Sequence, residues 1–130
     1  SPRGSPLTTD SGFNTRTALP TPDPTYEGRE FCVQILPSVS RSFALVIRLL
    51  PPSLSYAVTL SYLICRIADS IEDEPGFLRE LRVRLLAELR LGVTDRGHRT
   101  DGLLADAFDG PTRSLIAGAD VVLQEFHSLP

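Results

Sequence analysis

The chain has 130 residues, 42% of them hydrophobic and 22% charged, with a formal net charge of -3. That length suits one modest domain or part of a larger one. The weak negative charge offers no basic field for nucleic acid, so no partner of that kind is expected.

Residues 1–24 hold five prolines and two glycines among many Ser and Thr, with no periodic apolar pattern. A disordered leader is expected there, ahead of a partial helical domain over 25–130. Helical character begins near Tyr26 and should stop before Pro37, with Phe31, Ile35 and Leu36 facing inward. Ser38-Val-Ser40 supplies two candidate N-caps for a short apolar helix over 41–50. Pro51-Pro52 ends that helix and opens the next, over 52–73, which Pro75-Gly76 closes.

A fourth helix is read over 77–93, with Leu78, Leu81, Leu85, Leu86 and Leu89 at helical spacing. Residues 94–110 carry three glycines and four aspartates and read as a connector with one or two helical turns around Leu103, Leu104 and Phe108. Pro111 then opens a last helix to about His127, with Leu115, Ile116, Ala119, Val122, Leu123 and Phe126 inside. No strand alternation stands out, so the fold class is all-α.

The apolar stretch 43–68 is interrupted by Arg48, Pro51-Pro52 and Arg66, which excludes a transmembrane span within it. Residues 1–24 lack the apolar run of a signal peptide. Cys32 and Cys65 have no metal-like spacing and read as small buried apolar groups, which fits a reducing compartment. All 13 basic residues are Arg, a side chain suited to bidentate phosphate contacts. His98 and His127 lack an acid or nucleophile at a meaningful offset and read as surface or loop residues. The chain starts at Ser1 and stops at Pro130 without a tail, and reads as a fragment.

The chemistry is concentrated in Tyr62-Leu-Ile-Cys-Arg66-Ile-Ala-Asp69-Ser-Ile-Glu72-Asp73. On a helix, positions 62, 66, 69 and 73 fall within roughly 60° of one another. Leu60, Leu63, Ile64, Ile67 and Ile71 occupy the opposite side and must face a core. Two carboxylates one turn apart can share divalent cations, and an Arg one turn earlier can take a phosphate. The pattern suggests a magnesium–diphosphate site. The plainer reading is an acidic, solvated helix end with Arg66 paired to Asp69 or Ser70. Ser40-Arg41-Ser42-Phe43 is the second constellation. Two hydroxyls and a guanidinium at a helix start could bind an anion, or Ser40 could simply cap the helix.

Together these segments resemble the squalene and phytoene synthase family of head-to-head prenyl transferases. The resemblance runs from about Glu30 to Glu74 and more loosely to the end. It rests on Phe31-Cys32, on Val39-Ser-Arg-Ser-Phe-Ala-Leu-Val-Ile47 followed by Leu50-Pro51, and on the 62–73 motif. The Ser-Arg-Ser-Phe-Ala run and the Asp-x-x-Glu-Asp form are more similar to squalene synthases than to phytoene synthases.

The resemblance implies the N-terminal half of an isoprenoid-synthase-type helical bundle. It implies condensation of two farnesyl diphosphates to presqualene diphosphate and squalene, with phytoene or dehydrosqualene synthesis as the alternative. Asp69, Glu72 and Asp73 would hold Mg²⁺. Tyr62, Asp69 and Asp73 would be catalytic. Ser40, Arg41, Ser42 and Arg66 would contact phosphates of the substrate or of NADPH, and Phe43 would line the prenyl cavity. The family's second aspartate-rich motif is not in these 130 residues, and Asp101, Asp106 and Asp109 do not replace it. The fragment alone is therefore expected to be inactive, and a truncated, non-catalytic helical module is the rival of another class. A cytoplasmic location is expected, extending to peripheral contact with a membrane surface because the product is apolar.

Overall fold

The computed structural model describes residues 26–100 and 103–130. The expected leader over 1–24 lies outside them, as does Asp101. Six helices follow in order: α1 (Tyr26–Val39), α2 (Arg41–Ile47), α3 (Pro52–Asp73), α4 (Arg79–Thr94), α5 (Gly110–Ala117) and α6 (Ala119–His127). A short 3-10 turn at Ala105–Ala107 lies before α5, and the described residues contain no strand. The fold is all-α, as the periodicity predicts.

The long helix α3 is the hub, touching each of the other five helices. Its apolar stripe explains why: Leu60, Leu63, Ile67 and Ile71 are fully buried. Burying each such side chain is worth roughly 1.5–3 kcal/mol relative to solvent. Phe31, Cys32, Ile35 and Leu36 from α1, Leu85 and Leu89 from α4, and Leu115, Ile116, Val122 and Leu123 from α5 and α6 complete the core. No helix among the described residues is long and apolar enough to cross a membrane.

Four local readings need correction. Pro37 does not end α1 but lies within its last turn, and the helix runs on to Val39. The missing N–H costs one bond near the end of the helix, where Ile35 and Leu36 are already packed. Leu78 is not on the inner face of α4. It stands outside the helix as its N-cap residue and is exposed.

The last helix is two helices, α5 and α6, meeting at Gly118. Phe31 from α1 presses against that junction, so that a Cβ on residue 118 would lie 2.5 Å from Phe31 Cζ. Glycine is needed there for close approach, not for unusual dihedrals, because its φ is -95°.

Finally, Cys32 is buried as expected, whereas Cys65 is exposed. On α3, Cys65 lies roughly 150° from the centre of the apolar stripe.

Cys32 sits beside a polar cluster that joins α1, α3 and α6. The Tyr56 hydroxyl donates to the buried carboxylate of Glu125, and the Arg29 guanidinium lies 4.0 Å from the Tyr56 ring centroid. Burial, with the nearby Glu125 charge, pushes the Cys32 thiol from 9.0 up to about 12. Burial and the hydrogen bond to Glu125 push the Tyr56 phenol up as well. Only the thiolate is nucleophilic, so a disulfide-exchange reagent at pH 8 should titrate one rapid thiol in the folded chain, Cys65, and two after denaturation. Two rapid thiols in the folded protein would contradict the burial of Cys32. The sign of the pH effect follows. A folded pKa above the unfolded one means the native state holds its protons longer. The melting temperature should therefore fall as pH rises from 9 towards 12, and fall less in Tyr56→Phe.

Candidate active site

Ser40 begins the site as a helix cap. Its backbone is extended, and its hydroxyl accepts a hydrogen bond from the Phe43 N–H at 3.2 Å. That bond satisfies one otherwise unpaired donor of α2. Arg41 and Ser42 occupy the first turn and are exposed. Phe43, one position on, turns inward and stacks on Tyr62 of α3, with ring centroids 4.2 Å apart and planes 15° from parallel. The two constellations are thus brought together by an aromatic contact between α2 and α3.

Below the stack, α3 carries its polar stripe as the spacing predicts. Tyr62 and Arg66 are half-buried, and Asp69, Glu72 and Asp73 are exposed at the helix end. Arg66 does not form the surface ion pair of the plainer reading. Among the described residues it makes no salt bridge, and its Nε is buried without a hydrogen-bond partner. The Ser70 hydroxyl instead donates back to the Arg66 backbone carbonyl at 2.8 Å. An unpaired buried N–H costs about 1–3 kcal/mol, a cost that Arg66 shares with Arg82, whose Nε is also unpaired. Acids at a helix C-terminus oppose its dipole, so three carboxylates there are not explained by helix stability.

Among the described residues, no three His, Cys, Asp or Glu side chains converge into a set able to hold a metal. Asp69, Glu72 and Asp73 stand open, free of ion pairs with other described residues. Oxygen donors of this kind fit Mg²⁺, which is usually bound through one or two carboxylates plus phosphate oxygens.

The same stripe continues upward to Ser55 and Thr59, which border a groove of about 290 Å³ between α1, α2 and α3. Its lining is mainly apolar, including Val33, Leu36, Ala44 and Ile47, with Arg29 and Arg48 alongside.

One supporting residue escapes sequence reasoning. Arg82 of α4 donates from Nη2 to the carbonyls of Glu74 and Phe77, at 3.1 and 2.9 Å. These bonds fasten the turn that follows Asp73, fixing the acidic end of α3 against the start of α4. Arg82 reads as an ordinary solvated charge in sequence, because its partners are backbone atoms. His98 and His127 are also more than loop or surface residues, since both are half-buried and hydrogen-bonded.

Comparison with known proteins bears on this arrangement. The family model for squalene/phytoene synthase matches residues 36–130. The chain belongs to the squalene/phytoene synthase family.

The squalene synthase of Saccharomyces cerevisiae is 38% identical over 98 residues, covering 75% of this chain and 21% of the yeast protein. That of Nicotiana benthamiana is 42% identical over 66 residues, covering 51% of this chain and 16% of the plant protein. A lycopaoctaene synthase of Botryococcus braunii is 39% identical over 66 residues, covering 51% of this chain and 16% of its own length. The chain thus spans between 16% and 21% of the length of these relatives. No solved structure gives a significant match.

Proposed function

We propose that this segment forms the diphosphate-binding wall of a Mg²⁺-dependent farnesyl-diphosphate farnesyltransferase that makes squalene. The observation that carries the reading is the Phe43–Tyr62 stack. It joins the Ser40-Arg41-Ser42 turn to the stripe bearing Arg66, whose Nε lacks a partner.

Arg66 and Arg41 would take phosphate oxygens of the substrate, with Ser40 and Ser42 beside them. Tyr62 would hydrogen-bond the leaving diphosphate. One or two of the carboxylates of Asp69, Glu72 and Asp73, together with diphosphate oxygens, would hold Mg²⁺, which would supply positive charge where the allylic C–O bond breaks. Phe43 and the Tyr62 ring would keep water from the carbocation, which needs a dry, aromatic-lined cavity. In the squalene-forming reaction NADPH supplies the hydride, and an exposed Arg41 without an ion pair among the described residues suits one of its phosphates. The second acidic motif would come from the longer protein, so the 130 residues alone are proposed to be inactive. The exposed Leu45, Val46 and Leu49 support that reading, since a complete core would cover such side chains.

The test is product analysis on the full-length enzyme, with farnesyl or geranylgeranyl diphosphate, with and without Mg²⁺ and NADPH. Squalene from farnesyl diphosphate, dependent on both additions, is the expected result. A product formed from geranylgeranyl diphosphate, or dehydrosqualene formed without NADPH oxidation, would replace the squalene assignment with the alternative. Absence of Mg²⁺-dependent diphosphate release from either substrate would overturn the catalytic reading in favour of a non-catalytic helical module.

A further inference from the structure

A second cavity, of about 220 Å³, lies between the 95–100 loop and α6, lined among others by Arg96, His98, Arg99, Asp120, Gln124 and His127. It is remote from the acidic motif. Helix α4 begins next to the turn after Asp73 and ends at this loop, and its 16 residues span about 24 Å.

The cavity gathers both histidines of the chain. His127 Nε2 lies 2.8 Å from the Gly92 carbonyl, which can only accept, so Nε2 carries the proton. His98 Nε2 lies 2.7 Å from Glu88 and donates in the same way. Both rings are oriented by these bonds, and in each only Nδ1 lacks a partner among the described residues.

The nearby acids are occupied by protein donors. Asp120 Oδ1 accepts from the Thr100 N–H at 2.9 Å and from its hydroxyl at 2.6 Å. Asp95 accepts from the Gly97 N–H, and Glu88 from His98. Arg96 and Arg99 make no ion pair with any described residue. The wall therefore carries two arginines against one engaged carboxylate. Several N–H donors around a small polar cavity match an anion with several oxygens.

We propose that this cavity binds a phosphate or diphosphate group through Arg96 and Arg99, with His98 and His127 on its wall. The site is separate from the diphosphate wall on α3 and does not depend on the function assigned there. His98 and His127 make it observable. Inorganic phosphate and diphosphate are titrated into the full-length protein near pH 6.5, at ionic strength held constant with chloride, and the C2–H resonances of His98 and His127, assigned with His98→Gln and His127→Gln, are followed.

The expected result is a saturable shift of both resonances. Arg96→Gln combined with Arg99→Gln should weaken binding at least tenfold, equivalent to about 1.4 kcal/mol. Both arginines are exposed, so circular dichroism of the variant should match the parent. Arg99→Lys, which keeps the charge and loses the fork, should weaken binding less. A shift that does not saturate, one that chloride alone reproduces, or an unchanged affinity in the double variant would overturn the proposal.

Discussion

Asp69→Asn or Asp73→Asn in the full-length enzyme should lower Mg²⁺-dependent diphosphate release at least a hundredfold while leaving the melting temperature unchanged or slightly raised. The argument is geometric. Residues 69 and 73 share a stripe of α3 with Tyr62 and Arg66, whereas Glu72 lies roughly 80° from Tyr62. Mg²⁺ takes few protein ligands, so losing either aligned carboxylate removes much of its hold, and electrostatic stabilisation of a leaving group is commonly worth about 10²–10³ in rate. Glu72→Gln should cost less. Stability should not suffer, because all three carboxylates are exposed and none forms an ion pair among the described residues. Relief of like-charge crowding can even raise it. The measurements are diphosphate release with varied Mg²⁺ and thermal melting of each variant. If Asp69→Asn unfolds the protein, or leaves Mg²⁺-dependent release intact, the carboxylates are structural and the site assignment fails.

Gly118→Ala should be the most damaging single-methyl change in the fold, destabilising it by about 1–3 kcal/mol. The added Cβ would meet Phe31 at 2.5 and 2.6 Å, on ring carbons Cζ and Cε2. Phe31 is buried in the core, so its ring can move only by displacing its neighbours. Gly92 is a useful contrast. A Cβ there would approach Leu123 Cδ1 and Thr100 Cγ2, at 2.6 and 2.8 Å, and the first is the tip of a flexible side chain. Phe31→Leu removes the offending ring atoms, so Gly118→Ala should cost less in that background. Coupled residues of this kind show interaction energies of roughly 0.5–3 kcal/mol in a double-mutant cycle. Strictly additive costs by chemical denaturation would mean that the clash with Phe31 is relieved elsewhere and does not set the cost of Gly118→Ala.

The sequence by itself determined the helix class and the bounds of α3, because proline fixes one end, Pro75-Gly76 the other, and a 3.6-residue apolar period runs between them. It also determined that Tyr62, Arg66, Asp69 and Asp73 share a face, since that follows from helix geometry alone. The Ser40 cap was legible for the same reason, its partner Phe43 lying three residues away. Only the tertiary structure decided what depends on distant residues. The Phe43–Tyr62 stack, the partnerless Nε of Arg66 and the lock of Arg82 on the 74–77 turn arise from helices meeting, and no local pattern encodes them. The close approach at Gly118, where the last helix divides, is to Phe31, which lies 87 residues earlier. The Tyr56–Glu125 bond spans 69 residues, and the cavity holding His98 and His127 joins a loop to a helix beyond it. Such contacts are set by how buried faces pack, and a period along one helix fixes which side is buried without naming the side chain it will meet.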